Sequence, residues 1–418
     1  MAKKIAAIVF VFFCTAMAWV ILGGVTVDRT NSQDNKLKRA VGQLWGTPQR
    51  QSAPLVFYQV KQEQKVVRTT EGGKTVTETR TSLSDYYLNL ESSDIRADLR
   101  LNHRKKGLLW YSTYQVDFDG TYGLINSTQD ARQLCFQYSF PSRDGIYDDF
   151  AISVNGLPEK ELVPTDGKIR KWIRLKPGET AQVRVAYRSQ GLDQWWYVFG
   201  DNISQIRNFK LAMTTDFGRI DFPENAISPT AKQALSNIEG TKKGGGWELD
   251  WQYTNLISGI QIGMEMPKKI NPGPFVSKIS FFAPVSLFLF FFLVFIITAL
   301  RGIKLHPMHY FFLAASFFAF HLLMAYLADH VDIYLAFFIS AAVSVFLAVS
   351  YMRIVAGARF ALVETALAQL VYLVFFSYAF FWEGYTGLAI TICCIATLFV
   401  VMQFTARIDW DKQFSGKT

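Results

Sequence analysis

The sequence predicts an α-helical membrane protein with an inserted all-β extracytoplasmic domain of the antiparallel β-sandwich type, and six transmembrane helices. Three observations carry this. Six apolar runs are each about 20 residues long, the length that spans the hydrocarbon core of a bilayer. The 36 Phe crowd the chain after Phe281 and are sparse and mixed with charge between Asp28 and Ser280. Within that middle stretch apolar and polar residues alternate at the strand period of two.

The apolar runs are Ile5–Val27, Phe281–Leu300, Met308–Leu327, Ile333–Met352, Phe360–Phe381 and Thr386–Thr405. None contains Asp, Lys or Arg; Glu364 is their one acid. Short flanking segments orient such helices through their Lys and Arg. With the N-terminus in the cytoplasm, the cytoplasmic flanks hold Lys3, Lys4, Arg301, Lys304, Arg353, Arg359, Arg407, Lys412 and Lys417. The short outer loops, residues 328–332 and 382–385, hold no Lys or Arg and carry Asp329, Asp332 and Glu383. Both termini are therefore expected in the cytoplasm and residues 28–280 in the periplasm. Lys3, Lys4 and Ala16-Met17-Ala18 also resemble a cleavable signal peptide, but the apolar run continues through Trp19 to Val27, which favours an uncleaved anchor. The expected divisions are a first span at 1–27, a polar stalk with some helix at 28–53, a β-rich domain at 54–280, a five-helix bundle at 281–405 and a tail at 406–418.

In the middle domain Trp247, Leu249, Trp251 and Tyr253 alternate with polar residues, as do Val183, Val185 and Tyr187, and Phe209, Leu211 and Met213. Asp119-Gly120, Asp144-Gly145, Asn155-Gly156 and Pro177-Gly178 separate the runs as turns. Val66 to Leu90 reads as a hairpin about Glu71-Gly72-Gly73-Lys74. Ser228 and Pro229 predict the capped start of a helix over 228–238, and Gly244-Gly245-Gly246 a flexible loop. Residues 28–280 hold 34 Lys and Arg against 28 Asp and Glu. That balance lacks the concentrated basic stripe of a nucleic-acid binder, so no nucleic-acid partner is expected. Of Cys14, Cys135, Cys393 and Cys394, only Cys135 lies in this domain, which excludes an internal disulfide there.

No catalytic motif emerges. Gly73-Lys74-Thr75 resembles the end of a phosphate-binding loop, but Arg68 stands where its first Gly belongs. Zinc-protease, paired-cysteine and nucleophile-elbow patterns are missing, and no cofactor or metal is expected. Four of the five His lie in the membrane part: His306, His309, His321 and His330. His306 and His309 bracket Pro307-Met308 where the third helix begins. The plain reading is a helix start; a metal site needs further converging ligands. His321 and Glu364 are ionisable groups inside apolar runs, and such groups usually face the bundle interior and pair. The plain reading of Glu364 is an interfacial pair with a cytoplasmic Arg; the sharper one is a polar pathway with His321, Gln369 and Gln403. Trp195-Trp196-Tyr197 with Trp247 and Trp251 suggests either sandwich core or an aromatic platform for glycan.

Lys304-Leu305-His306-Pro307-Met308-His309-Tyr310, Asp329-His330 and Ile408-Asp409-Trp410 resemble segments of the CreD family of bacterial inner-membrane proteins. The resemblance covers about residues 281–414. Leu44-Trp45-Gly46-Thr47-Pro48-Gln49 is similar in part to a second family segment, with Thr47 where the family has Gly. The resemblance implies a protein linked to cell-envelope integrity, to a two-component regulon and to colicin tolerance. It implies no enzymatic activity, so no catalytic residue is carried over. His306, Pro307, His309, His321, Asp329, His330, Glu364, Asp409 and Trp410 remain the candidate functional residues. The first expectation is a non-enzymatic envelope protein in contact with membrane lipid, whose outer domain meets other envelope proteins or glycan. The alternative is a transporter or channel component using polar residues of the bundle. An intramembrane enzyme built on His306, His309 and Glu364 is the third reading. The sequence leaves the oligomeric state open.

Overall fold

A computed structural model describes residues 2–69, 75–200, 202–235, 245–382 and 384–406. The chain forms two compact units, Met1–Lys36 with Ile270–Thr418, and Leu37–Lys269.

The first unit is helical. Six helices among the described residues are long and apolar enough to cross a bilayer. They are α1 (Ala2–Trp45), α2 (Pro272–Leu300), α3 (Pro307–Leu327), α4 (Ile333–Ala356), α5 (Phe360–Phe381) and α6 (Thr386–Thr405). α1 does not stop at Val27, where its apolar run ends. Its 44 residues make a rod of about 66 Å, roughly twice the hydrocarbon thickness. No Pro interrupts residues 28–45, and the helix ends only at Gly46, whose φ is +99°.

Local chemistry sets the other helix starts. The His306 side chain accepts the Met308 N–H at 3.3 Å, with Pro307 opening α3. The Asp332 carboxylate accepts the Tyr334 N–H at 2.9 Å and caps α4. The bundle core is aromatic. Phe290 of α2 packs on Phe317 of α3 with ring centroids 4.6 Å apart, and Phe320 meets Phe337 of α4 at 5.4 Å. Inside α5, Phe360–Thr365 and Leu370–Phe375 are wound as π-helix, a geometry that shifts backbone hydrogen bonds out of the α register. The Ser286 hydroxyl of α2 donates to the Tyr372 carbonyl within the second of these turns.

The second unit is the β-rich one. In chain order its strands are β1 (Gln49–Ser52), β2 (Leu55–Thr69), β3 (Thr75–Leu88), β4 (Ser92–Leu101), β5 (Arg104–Lys106), β6 (Leu109–Tyr111), β7 (Thr113–Ile125), β8 (Arg132–Ser139) and β9 (Tyr147–Val154). Then follow β10 (Leu157–Pro158), β11 (Lys168–Leu175), β12 (Thr180–Leu192), β13 (Gln194–Val198), β14 (Ser204–Thr215), β15 (Ala231–Leu235), β16 (Gly246–Ser258) and β17 (Ile262–Glu265). The largest sheet runs β10-β9-β12-β7-β4-β14-β16-β15 and a second runs β11-β8-β2-β3. Both are antiparallel apart from the parallel β4–β14 pair. Between them lies one core, to which Ile95, Phe118, Val185, Leu211 and Trp251 contribute from the large sheet and Val56, Leu134 and Phe136 from the small one. Burial alternates residue by residue along β4, as the sequence pattern requires. A third sheet, β1-β13-β17, adds Trp195, Tyr197 and Met264 to the same core.

Over its described residues, 228–235, the expected helix is not formed. Ala231–Leu235 is an edge strand paired with β16, and the Thr230 hydroxyl donates to the Asp250 carbonyl on β16 at 2.9 Å. The cap signals at Ser228 and Pro229 are local, and an available sheet edge outweighs them. Gly246, expected in a loop, opens β16. The hairpin pairs β2 from Val56 to Thr69 with all of β3; its turn residues 71–74 lie outside the described residues.

Candidate functional site

The helical unit gathers most of the candidate residues into three levels. At the level where α2 ends and α3 and α5 begin, Arg301 pairs with Glu364 Oε1. Glu364 sits in the first π-wound turn of α5, with its side chain 11% exposed against 48% for Arg301. Its second oxygen, Oε2, has no hydrogen-bond partner in the protein. Nearby in sequence, His309 Nδ1 lies 2.7 Å from the Tyr351 hydroxyl of α4. The His306 and His309 rings are 6.4 Å apart, and no group of three or more metal-ligating side chains occurs among the described residues.

The middle level is a buried polar array. The Gln369 amide of α5 donates to Ser344 Oγ of α4 at 2.8 Å, and Ser344 donates to the Ser316 carbonyl of α3 at 2.6 Å. Three helices are thus joined through side chains in an apolar interior, where polar contacts between helices hold a bundle in register. Thr365 lies one turn before Gln369, and Ser340 one turn before Ser344. Their hydroxyls and Gln369 Oε1 are buried without a hydrogen-bond partner in the protein. His321 of α3 is also buried, 5.5 Å from Trp19 of α1 ring to ring, with Nδ1 3.0 Å from the Phe317 carbonyl. Because Nδ1 donates to that carbonyl, Nε2 faces the interior as an acceptor, and it has no protein partner. Buried polar groups are normally satisfied, so this concentration of orphaned atoms marks the array. Gln403 does not join it and is exposed on α6.

At the third level, Asp329, just after α3, pairs with Arg29 of α1 at 2.6 Å. His330 beside it is exposed. Asp409 and Trp410 lie outside the described residues.

Sequence reasoning missed the serines. The signal was present as small residues spaced by four on α4, Ala336, Ser340 and Ser344 with Ala348 after them, which is the stripe expected where helices approach closely. It also missed Gln49 and Gln51 in the β unit, both fully buried. Gln49 donates to Ser189 Oγ at 2.6 Å and to the Gln190 carbonyl at 2.7 Å. Of the aromatic platform candidates, Trp195, Tyr197 and Trp251 are core residues. Trp196 lies under Arg50 and Trp247 under Lys232.

The β unit does present another aromatic row. Trp172 (β11), Cys135 (β8), Phe57 (β2) and Tyr87 (β3) are cross-strand neighbours on the face of the small sheet turned away from the core. The Phe57 ring centroid lies 5.9 Å from that of Trp172 and 5.6 Å from that of Tyr87. Tyr87 is 63% exposed and Trp172 38%. Arg170, Arg174, Gln59 and Asp85 flank the row. Burial pushes the Cys135 thiol up to about 11, so the one cysteine of this unit is held as an unreactive thiol.

A family model described as inner membrane protein CreD matches residues 1–140 and 276–411, well over half the chain. The chain belongs to the CreD family. The CreD match takes in the whole helical unit apart from residues 270–275 and 412–418. It reaches further into the β unit than the sequence segments suggested, through β1–β8, so the aromatic row is divided: Phe57, Tyr87 and Cys135 lie inside the CreD match and Trp172 outside it. No curated protein matches the chain. Among solved structures, a Legionella pneumophila protein assigned as nutrient-binding is 11% identical, covering 49% of this chain and 71% of its own, with a TM-score of 0.29. An M1 zinc metallopeptidase from Deinococcus radiodurans is 14% identical, covering 43% of each chain, with a TM-score of 0.20. Likenesses this distant say nothing of the chemistry of a CreD chain.

Proposed function

We propose that this CreD-family chain is a non-enzymatic protein of the cell envelope whose β unit lies in the periplasm and docks another envelope protein. The observation that carries the reading is the exposed pair Trp172 and Tyr87, held on either side of the buried Phe57, with Arg170 and Arg174 beside it. Trp, Tyr and Arg are the residue types that dominate binding energy at protein interfaces. The periplasmic placement rests on the Lys and Arg distribution: Lys3, Lys4, Arg301, Lys304, Arg353 and Arg359 flank one side of the spans, and Asp329 and Asp332 the other. The test is affinity capture from envelope extracts with the intact chain and with the Trp172→Ala/Tyr87→Ala variant. A defined envelope protein retained by the intact chain and lost with the double variant supports the reading. Equal capture by both sets it aside, and retention of glycan strands in place of protein would redirect the same face to sugar.

The buried array favours one second reading, a polar path through the bundle. Glu364, Thr365, Gln369, Ser340, Ser344 and His321 supply more hydrogen-bonding capacity than the protein itself uses. Proton flux into vesicles containing the reconstituted chain, abolished by Gln369→Leu, would support it; no flux above protein-free vesicles would dismiss it.

A further inference from the structure

The α1 start and the segment entering α3 border an open cavity of about 960 Å³. Its polar rim is Lys3 and Lys4 of α1, Lys304 and His306, and its walls include Phe10 and Phe311. Among the described residues no carboxylate lines it. Two further features favour an anion. His306 Nδ1 accepts the Met308 N–H, which leaves Nε2 as the ring's donor. Leu305, His306, Pro307 and Met308 bring the first turn of α3 to the cavity, with the positive end of its helix dipole. A second groove of about 490 Å³, almost wholly apolar, lies on the other face of α1, against Phe288 and Phe292 of α2, and shares no lining residue with the first.

We propose that the first cavity is a binding site for the phosphate of an anionic phospholipid, with an acyl chain laid along the apolar flank of α1. Three cationic side chains and an imidazole N–H supply what a phosphate requires, and basic pockets between membrane helices bind acidic headgroups by this chemistry. The walls decide between lipid and free phosphate. An inorganic ion has no use for Phe10, Val11 and Phe311, whereas an acyl chain packs against them. α1 stands barely covered by the other helices over its apolar length, so a resident lipid would complete its packing. Attraction of a basic flank to the membrane surface in general would be shared with Arg353 and Arg359, which belong to the same set of flanks but do not line the cavity.

The experiment is native mass spectrometry of the full chain in detergent, titrated with phosphatidylglycerol and, separately, with phosphatidylethanolamine. The wild-type chain is expected to retain phosphatidylglycerol about tenfold better or more. Lys3→Gln/Lys4→Gln/Lys304→Gln should lose that preference while Arg353→Gln/Arg359→Gln keeps it, both variants unfolding at the wild-type temperature. Millimolar inorganic phosphate should not displace the lipid. Equal retention of the two lipids, an unchanged preference in the triple variant, or an equal loss in the arginine variant would each overturn the proposal. Displacement by inorganic phosphate would overturn it in favour of a soluble-anion site.

Discussion

The side-chain carbonyl of Gln51 accepts a hydrogen bond from the Tyr138 hydroxyl at 2.5 Å, and the Tyr187 hydroxyl reaches the same oxygen at 3.0 Å. Tyr138 belongs to the small sheet, Tyr187 to the large sheet and Gln51 to the third. One buried amide oxygen therefore ties all three sheets together at the centre of the β unit. Replacing Gln51 with Leu removes the shared acceptor and leaves two hydroxyls without it in a dry core. Each stranded group costs about 1–3 kcal/mol. Thermal unfolding of the full chain should therefore show Gln51→Leu well below wild type, and Tyr138→Phe, which removes only one donor, closer to it. Equal midpoints for Gln51→Leu and wild type would mean that the oxygen is not a structural tie.

The same tyrosines set an alkaline limit on the β unit. Burial pushes the hydroxyls of Tyr114, Tyr122, Tyr138 and Tyr187 well above the ordinary 10, and that of Tyr147 up to about 12. Above pH 10 the unfolded chain releases protons that the folded chain keeps. The unfolded state then binds fewer protons, so stability falls as pH rises. The contribution is complete below pH 10 and is lost as pH climbs toward the folded values. In a spectrophotometric titration, tyrosinate absorbance from this cluster should appear together with the loss of β circular dichroism. Smooth ionisation near pH 10 with the β signal intact would contradict the burial of these hydroxyls.

How far the fold was legible depends on where the information resides. The spans and the sandwich strands were readable because period and apolar length are properties of the segment itself. β15 was not, because its pairing with β16 is a long-range event and Ser228-Pro229 gave a local signal for something else. Some helix in the stalk was legible, but its unbroken continuity with the span was not: apolarity marks where a helix crosses a membrane, and carries no instruction to stop winding at Val27. In the site, His321 and Glu364 stood out as ionisable groups in apolar runs, and both prove enclosed. Gln403 shared the surface logic of a polar residue in a span but sits on an exposed face of α6. Ser316, Ser340 and Ser344 were invisible as individuals, since a lone serine in a membrane helix is commonplace and only the facing Gln369 gives it meaning.

The segment Trp45-Gly46-Thr47-Pro48-Gln49 shows how a motif can be structural. Gly46 has φ +99°, and a Cβ there would lie 2.2 Å from the Gln190 carbonyl oxygen. Its neighbours anchor the turn, Thr47 to Ser142 at 2.6 Å and Gln49 to Ser189. Gly46→Ala should therefore cost roughly 1–3 kcal/mol from backbone conformation alone, with the steric conflict added. Gly24→Ala, where a Cβ meets nothing within 4 Å, is the matched control. Limited proteolysis should cut the Gly46→Ala chain faster and leave the control at the wild-type rate.

Arg301 and Glu364 make an unequal pair, and the inequality is testable. Glu364 is nearly enclosed while Arg301 is half exposed. Deleting the arginine leaves a carboxylate with poor access to water, whereas neutralising the glutamate leaves a guanidinium that solvent can reach. Breaking a buried pair is costly mainly through the partner left behind. Arg301→Met is therefore expected to lower the unfolding temperature of the full chain more than Glu364→Gln does. The double variant should recover part of the loss seen in Arg301→Met, because the stranded carboxylate is then gone. The polar-path reading makes a different demand on the same variants: proton flux would fall in Glu364→Gln even with its stability preserved. If Arg301→Met and Glu364→Gln unfold at one temperature and the double variant adds their effects, the two side chains act independently, and the enclosed end of the pair has no role in holding α2 to α5.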